Sequence, residues 1–390
     1  MKYRTDPRSG NKLSVLGYGC MRFPRNTFGI DLKKTESLIK YAVSRGINYF
    51  DTAYMYPGSE EALGTVLSDN SLREKVYIAT KIPTAITKKA GDPERFLNES
   101  LSRLKTDYID YLLMHLLTSY ADFEKLVSLD ILNLIPKWKN EGKARQVGFS
   151  FHGTREEFLK ILEAYDWDFC MIQFNYSDEN YQAGITGLKA AAAKNIPVMI
   201  MEPLLGGKLA VGLPDRAVGV LKRADPNRSA AAWGIGWVLN HPEVTTVLSG
   251  MNSPMQIKDN LLTADSTAAG SFTAADLKAI ETARQILKET DKIPCTGCGY
   301  CMPCPRNVNI PGCFSAYNSS FTEGFMPGLK NYFMNTAVMS KTSHLASQCI
   351  HCHKCEKICP QNIKISDMLT LVKKRFEKLP VRAAIKIFKN

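Results

Sequence analysis

From about Val15 to Ser266, short apolar runs alternate with longer amphipathic stretches. The short runs are Ser14–Tyr18, Asn48–Asp51, Val76–Lys81, Ile109–His115, Arg145–Ser150, Cys170–Phe174, Pro197–Met201 and Val244–Ser249. Their length and their β-branched and aromatic content predict strands. Between them, helical periodicity predicts Lys33–Arg45, Pro93–Leu104, Glu124–Glu141, Thr154–Ala164, Asn180–Lys194 and Arg228–Asn240. Strands most of which lead into a helix make a parallel α/β fold, and eight of them close a (β/α)8 TIM barrel of roughly 250 residues. A doubly wound sheet would place a dinucleotide fingerprint after its first strand. Here Gly17-x-Gly19-x-x-Arg22 lacks the third glycine, and no GxxxxGK[ST] run occurs. The barrel is the expected fold of residues 1–290.

A last barrel helix, about Thr273–Glu289, leads into Lys292-Ile293-Pro294, a natural boundary. Beyond it the composition shifts to Cys, Pro and Asn. Residues between Cys313 and Gln348 are irregular and aromatic, suited to short helices. Two cysteine runs frame this stretch: Cys295-x2-Cys298-x2-Cys301-x2-Cys304-Pro305 and Cys349-x2-Cys352-x2-Cys355-x3-Cys359-Pro360. The second has the spacing of a bacterial [4Fe–4S] ligand run, in which the fourth cysteine serves the other cluster. The expected sets are therefore Cys295, Cys298, Cys301 and Cys359 for one cluster, and Cys349, Cys352, Cys355 and Cys304 for the second. Zinc sites use two separated CxxC pairs instead. Residues 291–390 are read as a small, mainly α-helical, ferredoxin-like two-cluster domain with a basic tail. Cys20, Cys170 and Cys313 read as small buried hydrophobes, and His351 and His353 read either as exposed loop histidines or as groups that tune a cluster by hydrogen bonding.

Composition and charge narrow the class. With 390 residues and 45% hydrophobic content the chain can build two cores. The polar start, Met1-Lys-Tyr-Arg, lacks a secretory h-region, and no apolar run reaches the ~18 residues of a membrane span. A cytoplasmic location follows as the expectation, where clustered cysteines are metal ligands and not disulfides. Of the net charge of +12, half lies in the tail: seven bases from Lys373 to Lys389 against the single acid Glu377. Such a tail suits an acidic electron carrier (ferredoxin or flavodoxin) or weak peripheral contact with an anionic membrane. It also reads as a solvated amphipathic helix burying Leu379, Ile385 and Phe388. Nucleic acid is not an expected partner, because no zinc-finger, RNP or helix-turn-helix signal accompanies the charge.

In a parallel barrel the strands' C-terminal ends form the active face. Asp51, Lys81, His115, Ser150 and Gln173 each follow an apolar run and fall there, with Tyr56 in the loop after Asp51. An Asp, a Lys, a His and a Tyr meeting at one mouth compose an acid/base site. Gly46-Ile-Asn-Tyr-Phe-Asp51-Thr-Ala-Tyr-Met-Tyr56-x-x-Ser59-Glu60-x-x-Leu63-Gly64 closely resembles the first signature of the aldo-keto reductases. Ala79-Thr-Lys81, Leu112-Leu-Met-His115 and Gly142-Lys-Ala-Arg-Gln-Val-Gly148-Phe-Ser150 continue the likeness, which covers about residues 10 to 290. The ferredoxin-type appendage is similar to that of an iron–sulfur subgroup of the family.

The resemblance implies a catalytic tetrad of Asp51, Tyr56, Lys81 and His115, with Tyr56 as proton donor. Tyr54 competes on composition, and only the family spacing selects Tyr56. The resemblance also assigns Ser150 and Gln173 to the nicotinamide carboxamide, with Phe151 and His152 following where an Asn is usual. Met201 stands where a stacking Tyr is common, and Glu202 falls near the pyrophosphate. Gly206 and Gly207 supply a backbone-rich phosphate loop. Ser249, Gln256, Asp259 and Asn260 align with the adenosine side, and Gln256 replaces the Arg that grips a 2′-phosphate. NAD(P)H is the implied cofactor, with FMN in the same mouth as the alternative. The expected function is a reductase for a small-molecule carbonyl or related substrate, exchanging single electrons through two [4Fe–4S] clusters. The rivals are a flavin-containing or ferredoxin-driven reductase, and an electron-transfer module with an idle barrel.

Overall fold

A computed structural model describes residues 1–290, 292–338 and 343–378. Eight parallel strands close into a barrel: β1 Leu16–Gly19, β2 Tyr49–Asp51, β3 Tyr77–Ile82, β4 Ile109–Leu117, β5 Ala144–Phe151, β6 Phe169–Gln173, β7 Val198–Met201 and β8 Val244–Ser249. Each pairs in parallel with the next, and β8 returns to β1. All eight strands expected from the apolar runs form, with ends displaced by one or two residues.

Strand alternation sends every second side chain inward. Tyr49, Ala79, Tyr111, Leu113, Phe169, Met171, Met199 and Leu248 are buried together inside the barrel. Continuing that parity toward the C-terminal ends puts Asp51, Lys81, His115, Gln173 and Met201 on the inward side as well. At β5 the inward series passes through Gly148 to Ser150. A β-carbon on Gly148 would sit 2.2 Å from the Phe169 carbonyl oxygen, so glycine lets β5 and β6 approach. An antiparallel hairpin, Tyr3–Thr5 with Lys12–Ser14, covers the opposite end. There the Tyr111 hydroxyl donates to Asp6 at 2.9 Å.

Helices start where the sequence offers caps. The Asp31 carboxylate accepts from Lys34 N–H ahead of Leu32–Ser44, Thr154 caps Arg155–Ala164, and Ser253 caps Pro254–Ser266 with Pro at its first turn. The expected helix Glu124–Glu141 is two helices, Tyr120–Ser128 and Ile131–Asn140. Asp130 between them adopts φ 71°, and a Ser119–Asp122 capping box opens the first. Apolar periodicity runs through that break because both pieces bury the same side. The expected helix Asn180–Lys194 starts only at Gly184.

Packing divides the chain into two compact units: Met1–Leu204 with Arg228–Ala274, and Leu205–Asn227 with Ala275–Asn390. The division at residue 290 follows sequence composition and is a different partition. The second unit is helical where described, with Asp215–Ala224, Ala274–Thr290, Ile310–Thr322, Phe325–Phe333 and Ile365–Phe376 as its longer helices. Its core gathers Ile293, Phe314, Tyr332, Leu369, Val372 and Phe376, and six cluster-run cysteines pack partly buried against it. Cys313 is fully buried in the same core, and Cys20 and Cys170 are buried in the barrel. Leu379, Ile385, Phe388, Arg382, Lys386 and Lys389 of the basic tail lie outside the described residues. Among the described residues no helix is long and apolar enough to cross a membrane.

Candidate active site and candidate metal centres

The barrel mouth is built around a buried ion pair. Lys81 Nζ donates to Asp51 Oδ1 at 2.7 Å, to Oδ2 at 2.8 Å and to the Thr52 carbonyl at 2.6 Å. Both residues are nearly sealed, at 2% and 5% exposure. Burial raises the Asp51 carboxyl above its ordinary range, and Lys81 opposes that through its charge and hydrogen bonds. Asp51 ends β2 and Lys81 sits one residue short of the end of β3, on strands paired Asp51 to Ala79.

Tyr56 reaches the same place from the loop after β2. Its ring centroid lies 5.0 Å from Lys81 Nζ and 6.0 Å from the His115 ring, edge to face. Tyr54 turns the other way: its hydroxyl donates to Glu99 at 2.5 Å, and its ring packs on Phe96 and under Arg103. Partners on the helix Asp92–Leu104 therefore separate the two tyrosines. His115 is buried, and its imidazole is held well below the usual range, first by burial and then by the charges of Lys81 and His152. It is neutral at physiological pH. β4 is irregular here, with a register shift between Met114 and Leu117 and Leu116 at φ 62°. That left-handed turn aims the Leu116 N–H at Ser150 Oγ, 2.8 Å away.

Gln173 and Met201 end β6 and β7 as register partners. Gln173 is buried, and its Oε1 has no hydrogen-bond partner among the described residues. An orphaned acceptor of that kind is costly unless something binds to it. His152, two residues after Ser150, is buried, held down to about 4 by that burial and hydrogen-bonded to Gln182. Glu202 follows Met201 in a left-handed conformation (φ 53°), its carbonyl accepting from Asn175 Nδ2.

A second group lies after β8. Asn260 Nδ2 donates to Ser249 Oγ at 2.8 Å, Ser229 Oγ donates to Asp259 at 2.6 Å, and the Gln256 side chain accepts from Asn252 N–H at 2.8 Å. Of the four expected adenosine-side residues, Ser249 and Asn260 thus meet directly, and Asp259 and Gln256, on the same helix as Asn260, are engaged by Ser229 and Asn252. Gly206 and Gly207 belong to the second unit, at φ 70° and 101°. With Lys208 they line a cavity of about 440 Å3 that also borders Cys295 and Gly297.

In the second unit, each expected ligand set rings its own cavity. Cys295, Cys298, Cys301 and Cys359 line one, narrow at about 20 Å3. Cys304, Cys349, Cys352 and Cys355 line another of about 280 Å3, with Cys301 between the two. Electrostatics groups Cys295 and Cys355 in the same way, while Cys301 feels Cys298, Cys295 and Cys359 and also Cys355 of the other set. Burial pushes Cys295 up to about 11, and its thiol neighbours are Cys298 and Cys359. Burial likewise raises Cys355 to about 11, and its thiol neighbours are Cys349 and Cys304. Among the described residues no three metal-ligating side chains converge on a single ion.

The two runs follow one backbone path. Gly297 and Gly299 are left-handed at φ 66° and 80°, and the equivalent positions of the second run, His351 and His353, are left-handed at 54° and 56°. Successive turns of this hand point N–H groups into a common concavity, and Gly297 N–H hydrogen-bonds Cys295. His353 pairs with Glu356 at 3.0 Å. Sequence reasoning missed the backbone partners, namely the Thr52 carbonyl and the Leu116 and Gly297 N–H groups. Only the glycines interleaved with the first cysteine run hinted at one of them.

Residues 15–284 match the aldo/keto reductase family and residues 294–363 match a 4Fe-4S dicluster domain. Protein tas of Escherichia coli is 31% identical over 182 residues, 38% of this chain and 52% of that protein, so the chain spans about half its length. Oxidoreductase YqkF of Bacillus subtilis is 24% identical over 315 residues, 72% of this chain and 96% of the relative. Among solved structures, an aldo-keto reductase from Klebsiella pneumoniae in complex with NADPH superimposes with a TM-score of 0.60 at 21% identity, covering 72% of this chain and 95% of that one. With the family matched over more than half its length, this chain belongs to the aldo/keto reductase family and carries a 4Fe-4S dicluster domain match at its C-terminal side.

Proposed function

We propose that this chain reduces the carbonyl of a small molecule at the barrel mouth, using NAD(P)H and the Tyr56 phenol as proton donor, and that its second unit holds two [4Fe–4S] clusters. The observation that carries the reading is the side-by-side position of Tyr56, Lys81 and His115 beside the buried Lys81–Asp51 pair. A free phenol, with a pKa near ~10, is a weak acid at neutral pH. An ammonium beside its ring favours the phenolate and eases proton loss. Asp51 and the Thr52 carbonyl hold that ammonium in place. The neutral His115 ring donates a hydrogen bond to the carbonyl oxygen as negative charge grows on it, and Tyr56 delivers the proton.

Nicotinamide, when bound, supplies the hydride. Ser150 Oγ and the unpartnered Gln173 Oε1 would hold its carboxamide, the hydroxyl donating and the amide oxygen accepting. Ser249, Gln256, Asp259 and Asn260 would serve the adenosine. The Klebsiella relative in complex with NADPH supports a nicotinamide cofactor. Met201, an aliphatic group where a flat ring would stack, favours FMN as the second reading. In the second unit, Cys295, Cys298, Cys301 and Cys359 would hold one cluster and Cys304, Cys349, Cys352 and Cys355 the other. The clusters store single electrons, and a ferredoxin or flavodoxin is the fitting electron partner. An idle barrel has no use for a desolvated Lys–Asp pair facing a tyrosine.

The test is anaerobic purification followed by NADH, NADPH or reduced ferredoxin. Carbonyl reduction by a nicotinamide that drops by about 10²–10⁴ in kcat in Tyr56→Phe, with Tyr54→Phe close to wild type, is expected. A Tyr56→Phe enzyme of full activity refutes the assigned acid, and a bound yellow flavin moves the hydride source to FMN.

A further inference from the structure

The two cluster sites differ in exposure. Cys352 is exposed, whereas Cys295, Cys298, Cys301 and Cys359 are all partly covered. Around the cavity of Cys304, Cys349, Cys352 and Cys355 stand two exposed bases, Arg306 and Lys354, with exposed Lys357 next in the chain. None of the three forms an ion pair among the described residues. The neighbouring acid, Glu356, is turned inward: it accepts the Ser366 N–H at 2.8 Å and pairs with His353. Between the bases the surface is apolar, with Ile350 57%, Met302 38% and Ile358 37% exposed. Solvent-facing isoleucines directly over a redox cavity, rimmed by unpaired cations, have the anatomy of a transient interface: a small dry centre and a charged rim that steers a partner. A patch of three exposed apolar side chains suits an electron-transfer encounter, which buries little surface.

We propose that this face docks an acidic one-electron carrier protein of the iron–sulfur type, and that the centre held by Cys304, Cys349, Cys352 and Cys355 is the one it meets. The inference rests on the two-cluster reading above. One electron leaves the reduced carrier, which is oxidised by one unit, and reduces this centre by one unit; no bond forms or breaks and no proton moves.

The test uses the full-length, cluster-loaded protein and a plant-type acidic [2Fe–2S] ferredoxin as probe. Iron content and the visible spectrum come first; a preparation without iron overturns the cluster reading itself, and with it this proposal. Given loaded protein, binding of oxidised ferredoxin is measured by calorimetry and reduction by reduced ferredoxin in a stopped-flow spectrometer. In Arg306→Glu/Lys354→Glu/Lys357→Glu we expect affinity and second-order rate at low salt to fall about tenfold or more, with wild-type rates approaching the variant's as salt rises. Iron content and spectrum stay as in wild type. Unchanged binding and rate in the triple variant overturn the proposal. So does a variant that keeps ferredoxin but loses binding to phosphatidylserine vesicles, which would assign the face to a membrane.

Discussion

Lys81→Met is the most demanding test of the barrel mouth, because the structure sets its size. The ammonium makes three hydrogen bonds, two to Asp51 and one to the Thr52 carbonyl, at 2.6–2.8 Å. Methionine fills similar volume and supplies none of them. The Asp51 carboxylate then stays buried and unpaired, a loss of about 3–5 kcal/mol in comparable pairs. Replacing both partners, Asp51→Leu/Lys81→Met, removes the stranded charge and recovers most of that loss. pH provides a second handle. The folded-state pKa of Asp51 is raised, so the folded protein binds this proton more tightly than the unfolded chain, and stability falls as pH climbs past the carboxylate range. Without Lys81 the rise is larger, so the defect of Lys81→Met is deepest at neutral pH and shrinks toward acid. The assay is denaturant unfolding followed by tryptophan fluorescence. All four tryptophans, Trp138, Trp167, Trp233 and Trp237, lie in the first unit, so the signal reports the barrel alone. A Lys81→Met barrel within about 1 kcal/mol of wild type at pH 7, or a double variant no more stable than the single, refutes the reasoning.

Other perturbations probe other parts. Gly148→Ala drives a β-carbon to 2.2 Å from the Phe169 carbonyl; a loss of about 3 kcal/mol or more by the same fluorescence assay is expected, since backbone must move. His152 is held down to about 4, so below pH 6.5 the unfolded chain takes a proton that the folded barrel refuses. Stability therefore falls as pH drops from about 6.5 toward 4, by up to ~3 kcal/mol for this group, and His152→Gln flattens that part of the profile. Cys359→Ala and Cys304→Ala should each remove one cluster of the proposed pair, lowering iron from about eight to about four atoms per chain, with different centres surviving in electron paramagnetic resonance. His351→Gly/His353→Gly relieves two left-handed non-glycine residues; melting of the second unit should rise or hold steady with iron unchanged.

The barrel was legible because strand periodicity and the position of polar residues after each apolar run are set by the same alternation that fills the interior. Asp51, Lys81, His115, Ser150 and Gln173 could be read from where their strands stop. The choice between Tyr54 and Tyr56 could not, because it depends on Glu99 and Phe96 from a distant helix that draw Tyr54 aside. The break at Asp130 was hidden since its two helices bury one continuous apolar stripe, and left-handed Leu116 was hidden because leucine rarely takes that conformation. Helices Ile310–Thr322 and Phe325–Phe333 lay within a stretch whose small and aromatic residues gave no clean period. Spacing alone shows which three thiols of each cysteine run share a turn, while the crossed fourth ligand is carried by the two-cluster pattern and stays a proposal.

The crossed arrangement of those cysteines bears on how the protein is made. Cys295, Cys298 and Cys301 leave the ribosome well ahead of Cys359, and Cys304 ahead of the three thiols it joins. At ~5–20 residues per second the remaining stretch takes about 3–12 seconds to synthesise. Through that delay three thiols of the proposed first centre wait, beside a nascent barrel, for a fourth that does not yet exist. Under the proposed ligation the first centre cannot be completed during translation of its own run, whereas the second has all four thiols as soon as Cys355 is made, so iron delivery to the first must await Cys359. A chain cut short before Cys359 would emerge with a folded barrel and an incomplete metal site.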